Sequence, residues 1–328
     1  MDKPDTKEIR SGGLRAPRTA PTLAAGTPPT TTLGQSAETD VRTPDRAHES
    51  YRLRLVHLPI YLLLLFGATL AATPFFYMIS TSLMTLGETI NRQLLPSAPQ
   101  FVNYREAMVE ADFARYFLNS AIITTITVAG MLVTATLAAY AFARIRFPGR
   151  DLIFVVLLAT LMIPETVTFI PSFLIIRGDI FPLPGGSWLN SLQGLTVPFV
   201  ANAVSIFLLR QFFARIPYDL WDAARIDGAG HFRFLVSVVV PMSTAALLTV
   251  ALLTLVVSWN AFLWPLLVTT TDTWRPLMVG LYSFVSEAGP ETHLLMAGAV
   301  IAIVPILIVY FFTQKSFTEG IATSGLKG

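Results

Sequence analysis

Residues 216–241 read IPYDLWDAARIDGAGHFRFLVSVVVP, a polar and charged stretch that lies between two long apolar blocks. Pro217 suits the first position of a helix, and the acidic Asp222 complements the positive N-terminal end of a helix dipole. Gly228 and Gly230 then end the helix, since glycine commonly follows a helix C-terminus. The stretch therefore predicts a short amphipathic helix that lies across a membrane surface and is followed by a turn.

The predicted helix needs a partner surface for its apolar side chains. These are Leu220, Trp221, Ile226 and, beyond the turn, Phe232. One candidate partner is the layer of lipid headgroups, on which amphipathic helices lie. An anionic membrane surface attracts basic segments, whereas the charges here are mixed: Asp219, Asp222, Asp227, Arg225 and Arg233. This mixture favours docking in the groove of a protein.

The apolar blocks on either side of this stretch are predicted membrane spans. The chain of 328 residues is 53% hydrophobic and 13% charged, which is about half the charged share of an ordinary soluble domain. A helix needs about 20 mostly apolar residues to cross a bilayer, and the blocks lack the alternation of barrel strands. The sequence predicts an all-α integral membrane protein with about six transmembrane helices, near 56–80, 117–142, 152–176, 195–213, 238–267 and 294–313.

Basic residues decide the predicted orientation, because cytoplasmic loops carry an excess of Lys and Arg. With the N-terminus inside, the cytoplasmic segments hold Arg52, Arg54, Arg144, Arg146, Arg150, Arg210, Arg215, Arg225, Arg233, Lys315 and Lys327. The outer loops hold fewer basic residues and more acids. Both termini are therefore predicted to be cytoplasmic, and residues 216–241 lie on the same side of the membrane.

Residues 1–50 are predicted to form a disordered cytoplasmic tail. They are rich in Pro, Thr, Ala and Gly and cannot bury enough apolar surface to offset the entropy of ordering. The apolar run that follows is interpreted as a true span and not as a signal peptide, because it continues through Tyr77, beyond the length of a signal sequence's apolar region. The membrane unit then covers 51–328, with span 1 at 56–80, a core at about 113–313 and a cytoplasmic C-terminal tail at 314–328.

Composition also argues against several classes of function. A formal net charge of +2 is too small to indicate a nucleic-acid partner. With no cysteine and four scattered histidines, the sequence predicts no metal site. It contains no Gly-rich phosphate loop ending in Gly-Lys-Ser/Thr, so the chain is not expected to hydrolyse ATP, to carry catalytic residues or to hold a cofactor of its own.

Residues 216–241 resemble the "EAA" signature of permease subunits in ATP-binding-cassette (ABC) importers. That signature is Glu-Ala-Ala, a Gly four positions after the last Ala, and an apolar-apolar-Pro ending. It falls here on Asp222, Ala223, Ala224, Gly228, Val238, Val240 and Pro241. Asp222 departs from the usual Glu of the family, but it keeps the negative charge.

Further stretches, from about Tyr51 to the end, resemble the carbohydrate branch of that family. The resemblance is to the second permease subunit of maltose and glycerol-3-phosphate type importers. It is carried by AYAFAR at 139–144, FPGR at 147–150, MIP at 162–164, FLLRQFF at 207–213, SWN at 258–260 and GLKG at 325–328.

The resemblance implies the type I ABC importer permease fold in a bacterial cell membrane, with a cytoplasmic coupling helix between spans 4 and 5. It implies that a sugar or sugar-like solute crosses by a path formed with a second permease subunit. Dimeric ATP-binding subunits would hold ATP and Mg, and an extracytoplasmic solute-binding protein would deliver the solute. The residues that would couple to the ATPase are Asp222, Ala223, Ala224, Asp227, Gly228 and Pro241.

Five polar or aromatic residues are candidates for the translocation path, and each has a structural alternative. They are Glu165, Asn202, Ser205, Trp259 and Asn260. Glu165 is placed inside a span, where ionisable residues mark function, unless Pro164 and Pro171 break that span and leave the carboxylate in water. Asn260 and Trp259 suit sugar hydroxyls and sugar faces, or else serve as an inter-helix hydrogen bond and an interfacial anchor.

Two other classes of protein remain as alternatives at this point. A secondary solute transporter driven by protons or sodium usually places ionisable groups in mid-membrane, and this chain offers little beyond Glu165. A membrane-embedded enzyme would need His, Asp or Ser clusters that converge from several spans. Both alternatives leave residues 216–241 unexplained. The basic group Arg144, Arg146 and Arg150 is interpreted simply as a positive-inside anchor.

Overall fold

The computed structural model describes residues 57–110, 112–282, 284–286 and 289–325. The tail predicted at 1–50 lies outside the described residues, as do the last three residues of the chain. By its contacts the chain divides at Leu62. The described part of the N-terminal unit is the beginning of the first helix, and the compact unit runs from Leu63 to Gly328.

The described residues are almost entirely helical. In chain order the α-helices are α1 (Leu58–Ser82), α2 (Leu86–Ile90), α3 (Val102–Glu110), α4 (Phe113–Arg144), α5 (Arg150–Ala159), α6 (Glu165–Arg177), α7 (Leu192–Thr196), α8 (Ala203–Arg215), α9 (Tyr218–Ile226), α10 (His231–Phe234), α11 (Val240–Met242), α12 (Thr244–Trp259), α13 (Leu263–Val268), α14 (Leu277–Tyr282) and α15 (Thr292–Gly325). Short 3₁₀ turns cover Thr160–Met162 and Val197–Phe199, and a π-helical turn covers Leu235–Val239. The described residues also contain a small antiparallel hairpin, β1 (Val285–Ser286) with β2 (Gly289–Pro290), and the fold remains in the predicted all-α class.

Three helices in the described residues are long and apolar enough to cross a membrane unbroken. They are α1, α4 and the Thr292–Gln314 part of α15. Three further spans are each made of two helical segments that meet at a bend, which raises the number of candidate spans to six. This agrees with the predicted number. Helix α15 continues to Gly325, so most of the segment predicted as a C-terminal tail has a helical backbone.

The third span is broken, although its apolar block is continuous in the sequence. Residues 150–162 and 165–177 meet at 103°. Ile163, between them, is extended at φ −86° and ψ 118°, because a residue before proline is disfavoured in the helical region. Pro164 therefore ends the first half, whereas Pro171 lies inside α6 without ending it.

The fifth span is also more divided than the sequence predicts. The block at 238–267 contains a bend of 81° between residues 231–242 and α12. The bend follows the π-helical turn and Pro241, which has no N–H to give to the helical ladder. Helix α12 then ends at Trp259, and the remaining apolar residues form the separate helix α13.

Helix α4 is the central element of the compact unit and packs along α8 and α12. One hydrophobic cluster joins α4 and α8 to the segment that follows α9, with Leu209, Phe213 and Phe234 at 0 to 1% exposure. Trp221 and Ala224 of α9 pack against this cluster. Packing between membrane helices depends on van der Waals contacts of this kind, so the cluster fixes the place of the short helix.

Candidate functional site

The short helix predicted in residues 216–241 is present as α9. It begins at Tyr218, directly after Pro217, so the proline lies one position earlier than predicted. The helix ends at Ile226, and Gly228 follows in the left-handed region at φ +77°. The amide of Ala229 donates to the carbonyl of Ala224 over 2.8 Å and closes the helix end. Gly228 is thus confirmed as the terminating glycine.

The inner face of α9 is held by its own chain. The indole of Trp221 stacks on the imidazole of His231 with 4.3 Å between ring centroids, and its edge contacts Phe234 at 5.1 Å. Trp221 was expected to need a partner from outside, but it is half-buried against this aromatic pair. Ala224 lies on the same side and is also half-buried.

The outer face of α9 is open. Ile226 is 87% exposed and Phe232, in the next helix, is 72% exposed. Asp222, Arg225 and Ile226 line an open depression of about 310 Å³. An apolar side chain exposed to this degree beside charged residues of both signs is suited to a protein partner with apolar and polar contacts at one place.

The six residues predicted to couple this chain to a partner divide between the two faces. Asp222, Ala223, Asp227 and Gly228 are exposed on or just after α9, whereas Ala224 is half-buried. Pro241 is exposed but lies in α11, beyond the π-helical turn. The first five residues thus form one continuous segment, and Pro241 shapes the entry into the fifth span.

Arg144, predicted to be a positive-inside anchor, makes contacts within its own chain that the sequence does not predict. The side chain is 9% exposed, and its guanidinium donates to the carbonyl oxygens of Phe213 and Ile216. These carbonyls lie at the end of α8, where the last C=O groups lack the amide four residues later that a continuing helix would supply. This role cannot be predicted from the sequence, because a basic residue at the end of a helix gives the same pattern whether it faces lipid headgroups or the end of a neighbouring helix.

The other two basic residues of that group are on the surface. Arg146 is exposed, and Arg150 is paired with Asp151 at 2.9 Å. Both line an open depression of about 340 Å³ around Gly149. Their exposure is compatible with the predicted anchoring role.

Glu165 is the first residue of α6, directly after the break at Pro164. Its side chain is exposed, and it does not lie in the interior of a continuous helix. The sequence leaves two interpretations of Glu165 open, and the structure agrees with the one in which Pro164 breaks the span. A carboxylate at this place also complements the positive end of α6.

Asn202 and Ser205 are brought together as a helix cap. The Oδ1 atom of Asn202 accepts hydrogen bonds from the amides of Val204 at 2.8 Å and Ser205 at 3.2 Å. Asn202 is exposed, and Ser205 is buried. A side-chain acceptor at this position satisfies amides that the first turn of a helix leaves free, which gives Asn202 a structural role at the start of α8.

Trp259 and Asn260, which end α12, have different surroundings. Trp259 is buried, and its indole nitrogen donates to the carbonyl of Ala302 in α15 over 3.0 Å. Asn260 is exposed and donates to the carbonyl of Val256 in its own helix. The inter-helix bond that the sequence assigned to Asn260 is therefore made by Trp259. The part of the chain that the structure describes also contains no group of three His, Asp or Glu residues close enough to hold a metal ion.

Comparisons with known proteins agree with this architecture. Residues 130–322 match the family described as binding-protein-dependent transport system inner membrane component. An sn-glycerol-3-phosphate transport system permease protein of Brucella abortus (strain 2308) is 32% identical over 272 residues, which are 80% of this chain and 94% of that protein. A putative ABC transporter permease protein of Caldicellulosiruptor sp. (strain Rt8B.4) is 31% identical over 79% of this chain and 93% of its own length.

A solved structure shows the same fold. In the crystal structure of a bacterial ABC transporter involved in the import of the acidic polysaccharide alginate, one chain superposes with a TM-score of 0.70 and 27% sequence identity. The match covers 80% of this chain and 96% of that one. The fold is that of a membrane-spanning permease. The chain belongs to the family of inner membrane components of binding-protein-dependent transport systems.

Proposed function

We propose that this chain is the second permease subunit of an ATP-driven importer for a sugar or sugar-like solute. Two related proteins support the class of solute, because one is named for sn-glycerol 3-phosphate and one is described in the import of alginate. Both solutes are rich in hydroxyl groups. The permease forms the path, and it does not hydrolyse ATP itself.

The observation that carries the proposal is the geometry of α9. One face of this helix is packed into its own chain through Trp221 and Ala224, while Ile226 on the other face is exposed. A helix built in this way presents a fixed apolar contact to a partner. We assign that partner as an ATPase subunit, in which α9 would occupy a groove by the helix-in-groove mode.

The remaining parts of the importer follow from this assignment. Two ATP-binding subunits would hold ATP and Mg, a partner permease would complete the path, and a solute-binding protein would deliver the solute from outside. Support for the last partner comes from the family description and from a fold relative solved with a periplasmic protein that carries an alginate pentasaccharide. Both termini would lie in the cytoplasm, on the side of α9.

A secondary transporter is not favoured. The relatives are components of binding-protein-dependent systems, and Glu165, the carboxylate considered for ion coupling, is exposed at a helix start. A coupling site for protons or sodium in mid-membrane is normally enclosed by neighbouring helices.

The proposal is tested by purifying the complex after co-expression of the chain with its partner permease and ATPase subunits. Ile226→Asp places a charge in the predicted contact, and Ile90→Asp is the matched control because Ile90 is 70% exposed in the predicted outer loop. We expect Ile226→Asp to lose the ATPase subunits and Ile90→Asp to retain them. Retention of the ATPase by Ile226→Asp, with unchanged uptake, would contradict the proposal.

Transport is measured in proteoliposomes with the binding protein outside and Mg-ATP inside. The probes are radiolabelled sn-glycerol 3-phosphate, maltose and an alginate pentasaccharide. Uptake of at least one probe should require both ATP and the ATPase subunits. Uptake by the permease subunits alone would identify a secondary transporter instead.

The side of α9 is tested by chemical labelling. The chain has no cysteine, so a single Phe232→Cys variant has one reactive thiol at a position that is 72% exposed. A membrane-impermeant maleimide should label it in inside-out vesicles and not in intact cells. The opposite pattern would place α9 outside.

A further inference from the structure

Two side chains of one helical turn hold α9 at both ends. Tyr140 and Arg144 lie four residues apart in the last turn of α4, so they project from the same face of that helix. Tyr140 is 4% exposed and Arg144 is 9% exposed. We call this pair the two-point anchor.

The first contact of the two-point anchor lies just before α9. The Nε and Nη2 atoms of Arg144 donate to the carbonyl of Phe213 over 3.0 and 2.7 Å, and Nη2 also donates to the carbonyl of Ile216. The guanidinium carbon lies 4.7 Å from the ring centroid of Tyr218, the first residue of α9. A planar guanidinium can serve two carbonyls and an aromatic face at once, whereas a lysine ammonium is a single point charge.

The second contact lies just after α9. The hydroxyl of Tyr140 is 2.8 Å from Nδ1 of His231, which is a hydrogen-bond distance. The same imidazole stacks on Trp221 in the middle of α9. Tyr140 therefore reaches the helix through a chain of two rings, and the contact joins α4, α10 and α9.

We infer that the two-point anchor makes α9 and the end of α4 move as one rigid body, so that Tyr140 and Arg144 are positioning residues for transport. The inference rests on the proposed function, in which the ATPase moves α9. A helix attached only through the backbone before and after it would shift without moving a span. Fixed at both ends to one turn of α4, it transmits its displacement directly to that span.

The reason for a buried arginine at this place follows from the same geometry. A buried charge is costly unless hydrogen bonds compensate it, and backbone carbonyls at a helix end carry partial negative charge. Removal of Arg144 leaves the carbonyls of Phe213 and Ile216 without this donor. The segment that begins α9 would then lose its hydrogen bonds to Arg144 of α4, while the contacts of the hydrophobic cluster remain.

The test measures the distance between α4 and α9 in the assembled complex by pulsed electron paramagnetic resonance. Spin labels are attached to Val133→Cys on α4, which is 59% exposed, and to Asp219→Cys on α9, which is exposed. The background chain contains no cysteine. The variants are Tyr140→Phe, Arg144→Lys and Arg144→Ala. The matched controls are Arg146→Ala and Tyr310→Phe, because both residues are exposed.

In the wild type we expect one narrow distance distribution that does not change when Mg-ATP is added. In Tyr140→Phe and Arg144→Ala the distribution should broaden without nucleotide and shift with Mg-ATP, while both controls behave like the wild type. Arg144→Lys should be intermediate. A shift in the wild type, or variants as narrow as the wild type in both states, would overturn the inference.

A second readout is the amount of solute taken up for each ATP hydrolysed, measured with the probe that the wild type transports. We expect the ratio to fall about fivefold in Tyr140→Phe, the size of effect for one lost hydrogen bond, and at least about tenfold in Arg144→Ala. ATPase subunits should remain bound in Tyr140→Phe, so a loss of uptake there is a loss of transmission. Wild-type ratios in both variants would contradict the two-point anchor.

The outcomes separate this inference from the function on which it rests. If the wild type neither retains the ATPase nor imports solute with ATP, the proposed function fails. The comparison of distance distributions without nucleotide is also made on the permease subunits alone, so it still decides whether Tyr140 and Arg144 hold α9. If Arg144→Ala does not insert in the membrane, Tyr140→Phe, which removes one oxygen atom, carries the test.

Discussion

The indole nitrogen of Trp259 donates a hydrogen bond of 3.0 Å to the carbonyl oxygen of Ala302. This bond joins the end of α12 to the middle of α15. The indole also meets the ring of Phe117 on α4 edge to face, with 5.5 Å between centroids. Trp259 therefore ties three candidate spans together.

Replacement of Trp259 by Phe should destabilise the protein without changing the affinity for solute. The change removes one hydrogen bond, worth about 1 kcal/mol, and keeps most of the ring packing. We expect a lower thermal unfolding temperature of the purified complex and an unchanged KM for uptake. Asn260→Ala is the control, since Asn260 is exposed and bonds within its own helix. A large rise in KM in Trp259→Phe would instead assign the indole to the translocation path.

Substitution of Gly228 should weaken coupling through backbone strain. Gly228 has φ +77°, and an ideal Cβ there would meet no atom within 4 Å. Left-handed backbone costs other residues about 1 to 2 kcal/mol, so Gly228→Ala should lower ATPase retention and uptake. Gly228→Asn should be milder, because asparagine tolerates this region.

Gly230→Ala is the matched control for this change. Its Cβ would also lie in open space, but its φ of −83° suits any residue. Equal effects of the two Ala substitutions on co-purification of the ATPase would show that strain at Gly228 is not the cause.

The two alanines of the signature should respond differently to a bulky side chain. Ala224 packs against the hydrophobic cluster of its own chain, whereas Ala223 is exposed. Ala224→Leu should lower thermal stability through overpacking, by about 1 to 3 kcal/mol. Ala223→Leu should leave stability unchanged and reduce binding of the ATPase subunits. Melting curves and co-purification, measured on the same samples, distinguish the effect on stability from the effect on ATPase binding. A loss of stability in Ala223→Leu would contradict the prediction that the face of α9 with Ala223 is open.

Gly194→Ala should destabilise the packing between α7 and the loop that precedes it. An ideal Cβ at Gly194 would clash with the carbonyl oxygen of Trp188 and lie 3.4 Å from a methyl carbon of Ile176. Backbone cannot yield as a flexible side chain can, so we expect a loss of about 1 to 3 kcal/mol. Gly87→Ala is the control, because its Cβ would meet no atom within 4 Å. Equal melting temperatures of the two variants would refute the predicted clash.

The carboxylate of Glu88 orders the loop between the first two spans. Amides of Thr85 and Ser97 donate to it over 2.8 and 2.9 Å, and these bonds hold the pKa of Glu88 at about 2, below its ordinary value of 4.5. A depressed pKa means that the stabilisation is fully present above about pH 4.5 and is lost as the pH falls through about 2.

Hydrogen exchange of the Ser97 amide measures this effect. In the wild type, protection should persist at about pH 3.5, where an ordinary glutamate is mostly protonated. Glu88→Gln should exchange faster at neutral pH, because a neutral amide is a weaker acceptor than a carboxylate. Loss of wild-type protection between about pH 5 and pH 4 would indicate an ordinary pKa and contradict the contact.

Much of the fold could be predicted from the sequence, because long apolar blocks and the short helix around Asp222 follow from local composition. The break at Pro164 was left open, since a proline inside an apolar block either ends a helix, as here, or is accommodated, as at Pro171. Periodicity does not distinguish the two. A proline is accommodated within a helix when neighbouring elements form hydrogen bonds with the backbone groups that the proline leaves unpaired.

The candidate site was predicted in part. Gly228 as a helix end and the exposure of Ile226 follow from the sequence alone. The partners of Trp221, Arg144 and Trp259 do not, because the ring contact of Trp221 depends on how the chain turns after α9, and the other two side chains donate to backbone carbonyls of other helices or helix ends. The identity of a side chain shows that a hydrogen-bond donor or an aromatic ring needs a partner. Which residue is that partner depends on how the helices pack.

The break at Pro164 divides the third span into two short helical segments. Each half closes its own hydrogen bonds, since the amide of Ile163 donates to the carbonyl of Thr160 and the amide of Val167 donates to the carbonyl of Pro164. A push along one half would therefore be taken up at the bend between the two. By contrast α4 is an unbroken helix of 32 residues, about 48 Å long at 1.5 Å per residue. A force applied at the last turn of α4 would therefore be transmitted along one unbroken helix to the opposite face of the membrane.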